Sequence, residues 1–93
     1  PVSGFIPLAQ TRDVQNLTFT LSVNGARRQN GNSSLMLTQV APLIAYMSHH
    51  FTLNAGDIIL TGTPKGVGPL VDGDKLSVTA FNQISVSTHV VAA

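Results

Sequence analysis

A mainly β, α+β fold with a single helix is the class the sequence predicts, and three observations predict it. Residues 17–23, LTFTLSV, alternate strictly between apolar and polar, which is the period of a half-buried strand. Two polar dipeptides, Asn24-Gly25 and Asn82-Gln83, adjoin strand-like runs, as hairpin turns do. From Leu37 the apolar residues instead fall at Leu37, Val40, Ile44, Met47 and Phe51, a helical spacing.

Each element has its own local reason. In the first strand Leu17, Phe19, Leu21 and Val23 share one face, and Thr18, Thr20 and Ser22 the other. Asn24 and Gly25 both tolerate positive φ, so residues 26–30 are expected to pair back. The polar run GNSS at 31–34 then ends the pattern. The helix is expected over residues 38–50, with Pro42 in its first turn, where a missing N–H costs nothing. Thr38 is its expected N-cap. NAGD at 54–57 is a turn, and residues 58–61 are expected to form a short buried strand. Beyond the VDGDK turn, Leu76, Val78 and Ala80 alternate with polar residues, as do Ile84, Val86, Thr88 and Val90.

Composition limits the function. Ninety-three residues make one small domain at most. Of these, 43% are hydrophobic and only 10% charged, well below the roughly 25% charged of ordinary domains. Part of the surface is therefore expected to meet another chain or domain. A net charge of +1 leaves no electrostatic footprint for nucleic acid. The chain has no cysteine, hence no disulfide or thiolate metal site. No window approaches the ~18 consecutive apolar residues of a membrane span, and no signal-peptide layout is present. A cytoplasmic setting is expected, which makes the glycosylation-type matches at Asn16 and Asn32 incidental. The opening PVSGFIP has no initiator methionine and is apolar, as expected of a chain entered partway through a fold.

The stretch TGTPKGVGP, residues 61–69, holds three glycines and two prolines. A phosphate loop would read G-x-x-x-x-G-K-[ST], but the sixth position from Gly62 is Val67. Turn and strand follow it, so no helix N-terminus faces an anion. All four acidic residues are aspartates, and Asp57, Asp72 and Asp74 adjoin glycines in turn contexts. DGDKL lacks the remaining ligands of a calcium loop. His49 and His50 are neighbours at the helix end, where side chains about 100° apart do not share a metal. His89 is expected on an exposed strand face, Tyr46 in helix packing, and Arg27 and Arg28 on a solvated strand edge. No G-x-S-x-G singles out a serine nucleophile. By these residues alone the chain holds no complete active site.

The stretch FTLNAGDIILTGTPKGVGPLVDGDKLSV, residues 51–78, closely resembles the fumarylacetoacetate hydrolase family, whose signature runs TL-x-x-GD, ILTGTP, GVGPL and GD in that order. VNGARRQNGNSSLM and PLIAYMSHHFTL resemble that family's hairpin and helix, and PVSGFIPLA its entry into the second half of the catalytic domain. The resemblance extends over essentially the whole chain and is strongest to a small bacterial acylpyruvate-hydrolase-like branch. It implies a mixed β-roll of the fumarylacetoacetate hydrolase type, with residues 1–93 forming the C-terminal part of one catalytic domain.

The resemblance also implies what lies elsewhere. Family members hold Mg2+ or Mn2+ through a Glu-x-Glu pair and an aspartate upstream of the matched segment, and a K-x-F-D-type lysine lies just before the position of Pro1. This chain has no glutamate, so no metal ligand carries over. The implied activity of the complete protein is hydrolysis, isomerisation or decarboxylation of small β-diketo or 2-oxo acids such as acylpyruvates, in a homodimer. The implied substrate-binding residue is Thr63, with Thr61, Gly62 and Lys65 on the same wall and Gln29 and Asn32 behind it. A hydroxyl suits an anionic oxygen, Gly62 permits close approach and Pro64 stiffens the loop. Two non-catalytic alternatives stand beside this: a carboxylate-binding module, and a structural half that needs its missing partner segment.

Overall fold

The computed structural model describes residues 2–11, 13–81 and 83–92. Its elements are β1 (Thr18–Val23), β2 (Ala26–Asn32), α1 (Val40–Ser48), β3 (Lys75–Ala80) and β4 (Ile84–His89), with short 3-10 turns at Leu8–Gln10, Val14–Asn16 and Ser33–Leu35. The four strands form one sheet in the order β2-β1-β3-β4. All three pairings are antiparallel.

The alternation of β1 explains the register. Phe19 stands opposite Ala80, Leu21 opposite Val78 and Val23 opposite Leu76. Val78 then faces Val86, and Ala80 faces Ile84. Directly opposed side chains share a face, so these residues make one apolar surface. The other face is hydroxylic: Thr20 and Thr79 hydroxyls are 2.6 Å apart, and those of Ser77 and Ser87 are 3.4 Å apart. Both expected hairpins are present. Asn24 and Gly25 have φ of 51° and 85°, the doubly left-handed pair that a tight two-residue hairpin needs. In the second hairpin Gln83 donates its N–H to the Ala80 carbonyl at 3.0 Å, while Asn82 lies outside the described residues.

Asn24 also joins the two hairpins. Its backbone N–H reaches the Lys75 carbonyl at 2.8 Å. Its side chain accepts the Lys75 N–H at 2.8 Å and donates to the Asp74 carboxylate at 2.9 Å. A second Asp74 oxygen accepts the Val71 N–H at 3.0 Å. These two hydrogen bonds, the backbone one first, hold the Asp74 carboxyl below its usual pKa.

The helix is shorter than residues 38–50 and is not capped by Thr38. Gln39 occupies the N-cap without a side-chain bond. The Val40 N–H instead donates to Gln15 Oε1 at 2.7 Å. The same amide donates to the Ser33 carbonyl, so one side chain ties the 3-10 turns to the helix start. A distant acceptor thereby replaces the local hydroxyl. Pro42 lies in the first turn, where no N–H is wanted.

Residues 58–61 do not form a strand. Among the described residues nothing pairs with them, and Ile58 and Leu60 are 66% and 89% exposed. A strand requires a partner, and apolar content alone supplies none.

The apolar faces are largely uncovered. Val23 is the buried hydrophobic residue of the described chain, and no residue of α1 is buried. Accessible surface totals 7232 Å², whereas a compact monomer of this mass exposes about 5,200 Å². The radius of gyration, 14.9 Å, likewise exceeds the roughly 12 Å of a closed domain this size.

Candidate functional site

The site is built on β2, an edge strand, and on the crossover that returns from it to β3. Leu21 pairs with Gln29 but Ser22 pairs with Arg27, so Arg28 is an extra residue in β2. Such bulges kink an edge strand and re-aim its side chains. Gln29, opposite Leu21, therefore lies on the apolar face, where it is half-buried. Its Nε2 donates to the Thr63 hydroxyl oxygen at 2.9 Å and to the Pro64 carbonyl at 3.2 Å. Arg28 Nη1 donates to the Pro69 carbonyl at 2.9 Å. Between these tethers Gly66 has φ of 106°, and a Cβ there would stand 2.4 Å from the Arg28 carbonyl oxygen. Only glycine meets both demands.

This geometry decides what Thr63 can do. A hydroxyl has one proton and two acceptor lone pairs. With the Gln29 amide donating to the oxygen, the Thr63 proton is free to be donated outward. Thr63 is exposed, so an anionic oxygen in solution can reach it. Thr61 and Lys65 are also exposed parts of this loop. Gly62 has φ of 87° with open space around it. Its glycine serves the turn, and the close backbone approach within the chain falls at Gly66.

Asn32 is not brought to the loop. Three residues beyond Gln29 in unbroken register, it lies on the opposite face. There its side chain accepts the Ser34 N–H at 2.8 Å and donates to Asn16 at 3.1 Å. Arg27 and Arg28 are exposed on the edge strand, as expected, and the Arg28 guanidinium in addition holds the loop. Nothing in the sequence marks the bulge. Gly66, however, is the kind of signal that finds such a contact: a glycine between two prolines of one loop.

The acidic residues are engaged elsewhere. Asp13 accepts the Gln15 N–H at 2.9 Å, Asp57 the Asn54 N–H at 2.8 Å and Asp72 the Ala92 N–H at 3.3 Å. His50 Nδ1 lies 3.1 Å from the Tyr46 carbonyl, with the two rings 4.8 Å apart. Among the described residues no three His, Asp or Glu side chains gather where they could hold a metal ion. The described residues do not fit the divalent cation that the resemblance implies. No helix of the described residues is long and apolar enough to cross a membrane.

Residues 1–91 match the family model for the fumarylacetoacetate (FAA) hydrolase C-terminal domain. The chain belongs to the fumarylacetoacetate hydrolase family. It is 58% identical over 92 residues to the oxaloacetate tautomerase YcgM of Escherichia coli, a match covering 98% of this chain and 42% of that protein. The human mitochondrial oxaloacetate tautomerase is 42% identical, with 97% of this chain and 41% of the relative covered. The chain thus spans about two fifths of the length of these curated relatives. A fumarylacetoacetate hydrolase family protein from Yersinia pestis superposes with a TM-score of 0.91 at 49% identity, over 98% of this chain and 43% of that one. Maleylpyruvate hydrolase from a Sphingobium species, solved with manganese(II) and pyruvate, gives a TM-score of 0.88 at 36% identity, over 92% of this chain and 33% of that one. The four-stranded antiparallel sheet with one helix is the C-terminal fold of the fumarylacetoacetate hydrolase family.

Proposed function

We propose that these 93 residues are the substrate-loop part of a catalytic domain that acts on small 2-oxo or β-diketo acids. The observation that carries the reading is the Gln29–Thr63 hydrogen bond. It leaves the Thr63 proton for a carboxylate or carbonyl oxygen, which accepts it in a charge-assisted bond. The loop fixes the orientation of the acid before its chemistry. The names of the relatives support the substrate class: oxaloacetate tautomerase, oxaloacetate decarboxylase and maleylpyruvate hydrolase. All three act on 2-oxo acids. Enol–keto tautomerisation of oxaloacetate is the first reaction to assay, and acylpyruvate hydrolysis with C–C cleavage the second, because the fold by itself does not choose among them.

This segment's part in the reaction is binding and orientation. The Mg2+ or Mn2+ of the family, the groups that move protons and the remaining wall of the pocket belong, in this proposal, to an N-terminal half of the same domain. A cytoplasmic homodimer is part of the same reading. The chain exposes about 2,000 Å² more than a closed monomer would, which supports cover by the N-terminal half. This excess is over twice the ~800 Å² each partner loses in a standard interface, so a dimer contact alone would not cover it.

The test is Thr63→Val in the full-length polypeptide, followed by loss of enol absorbance with oxaloacetate and of diketo absorbance with acylpyruvates. A 10- to 100-fold rise in KM is expected from losing one charge-assisted bond of about 1.5–3 kcal/mol. Unchanged kinetics would remove Thr63 from the site. The 93-residue chain alone is expected neither to turn over these acids nor to bind Mg2+ tightly. Metal-dependent turnover by it would overturn the division of labour. The uncovered apolar face also supports a purely structural reading, in which this half is stable only against its missing segment or a dimer partner and the full-length polypeptide turns over no 2-oxo acid.

A further inference from the structure

We propose that Arg28 is a positioning residue for the substrate loop, and that the β2 bulge exists to deliver it. The inference rests on the reading of residues 61–69 as that loop and deepens it. The hairpin does not need the bulge, because Asn24 and Gly25 already close it with positive φ. An extra residue in the strand costs ladder pairing, and its effect is to bring two consecutive residues against one loop. Gln29 takes Thr63 and Pro64 at the near end, and Arg28 takes Pro69 at the far end. Both residues bond a proline carbonyl. Proline fixes its own φ, so each of these two positions has one backbone freedom fewer to lose on docking.

The middle of the loop is held by shape. Gly66 presses against the Arg28 carbonyl so closely that a single methyl group would collide with it. The nearest heavy atom to a Cβ at Gly68 is Arg28 Nη1, at 3.7 Å. One residue thereby meets the loop with its carbonyl at position 66 and its guanidinium at position 69. With both ends tied, the Thr63 hydroxyl is held at a fixed place. With the Pro69 end free, residues 65–69 swing and Thr63 loses its frame of reference. Arg28 touches no substrate in this scheme and acts through the loop.

The experiment uses the full-length polypeptide with Arg28→Ala, Arg28→Lys and Gly66→Ala. Limited trypsin digestion reports loop opening at the Lys65–Gly66 bond, with cleavage after Lys75 in β3 as the measure of global unfolding. Arg28→Ala is expected to speed cleavage at Lys65 about tenfold, the effect of one hydrogen bond from a charged donor, with Lys75 unchanged. KM for oxaloacetate should rise more than kcat falls, and Arg28→Lys should restore part of both effects. Gly66→Ala, which leaves β2 intact, should open the loop even if Arg28→Ala unfolds the sheet. Lys65 cleavage unchanged in both alanine variants, or rising in step with Lys75 in both, overturns the proposal. A wild type that turns over no 2-oxo acid defeats the functional reading instead, and the digestion still decides the clamp.

Discussion

Removing the Gln29–Thr63 hydrogen bond from both sides tests the site most directly. The perturbations are Gln29→Leu, Thr63→Val and the double variant, in the full-length polypeptide. Gln29 makes two bonds to the loop, at 2.9 and 3.2 Å. A net hydrogen bond between neutral groups contributes about 0.5–1.5 kcal/mol. Thr63 is exposed, and water competes for its oxygen, so the lower half of that range applies to the 2.9 Å bond. Gln29→Leu alone should therefore lower kcat/KM by about 5- to 15-fold, counting both bonds. In the Thr63→Val background the hydroxyl is already gone, and only the Pro64 bond remains to be lost. The second substitution should then cost about 2- to 3-fold, leaving a coupling of about 0.5–1 kcal/mol. The assay is initial-rate kinetics on oxaloacetate, with thermal melts to exclude unfolding. Strictly additive losses would refute the idea that Gln29 acts through the threonine hydroxyl. So would a Gln29→Leu variant with wild-type kinetics.

Three further outcomes are expected. Gly31→Ala would bring a Cβ to 2.4 Å from the Phe19 ring; the ring tip can swing aside, so a loss of about 1–2 kcal/mol is expected in denaturant unfolding, and no loss would show that Phe19 does not pack there. Asp74 has a folded-state pKa below its ordinary 3.8, so its contribution to stability is present above pH 3.8 and fades as the pH falls through the folded-state value. Asp74→Asn should flatten that acid limb, and an unaltered limb would deny the Asn24 and Val71 bonds their part in it. Finally, the 93-residue chain alone should unfold with a concentration-dependent midpoint and bind a dye specific for exposed apolar surface. A concentration-independent, dye-free transition would mean that its apolar face closes on itself.

The parts of the fold that were legible in the sequence rest on local physics. Alternation in LTFTLSV reports a strand because side chains alternate faces whatever the strand pairs with. Asn24-Gly25 reports a hairpin because few residues accept positive φ, and both do so here. Pro42 and the spacing beyond Leu37 locate a helix to within two residues at each end. The chemistry-bearing loop was legible only as a cluster of glycine and proline, with Thr63 singled out by family resemblance.

Sequence alone therefore determined the two hairpins, the helix and the family, since each is encoded within a short window or an ordered series of them. Tertiary structure decided what those windows touch. The apolar run at 58–60 looks like a strand because burial and pairing leave the same composition, yet pairing depends on a partner from elsewhere. Gln15 caps a helix 25 residues away, and no local pattern announces an acceptor at that distance. The bulge at Arg28 depends on the pairing of β1 with β2, residue against residue. Its consequence, two consecutive side chains seated on a loop that follows more than thirty residues later, exists only once the chain has folded back on itself.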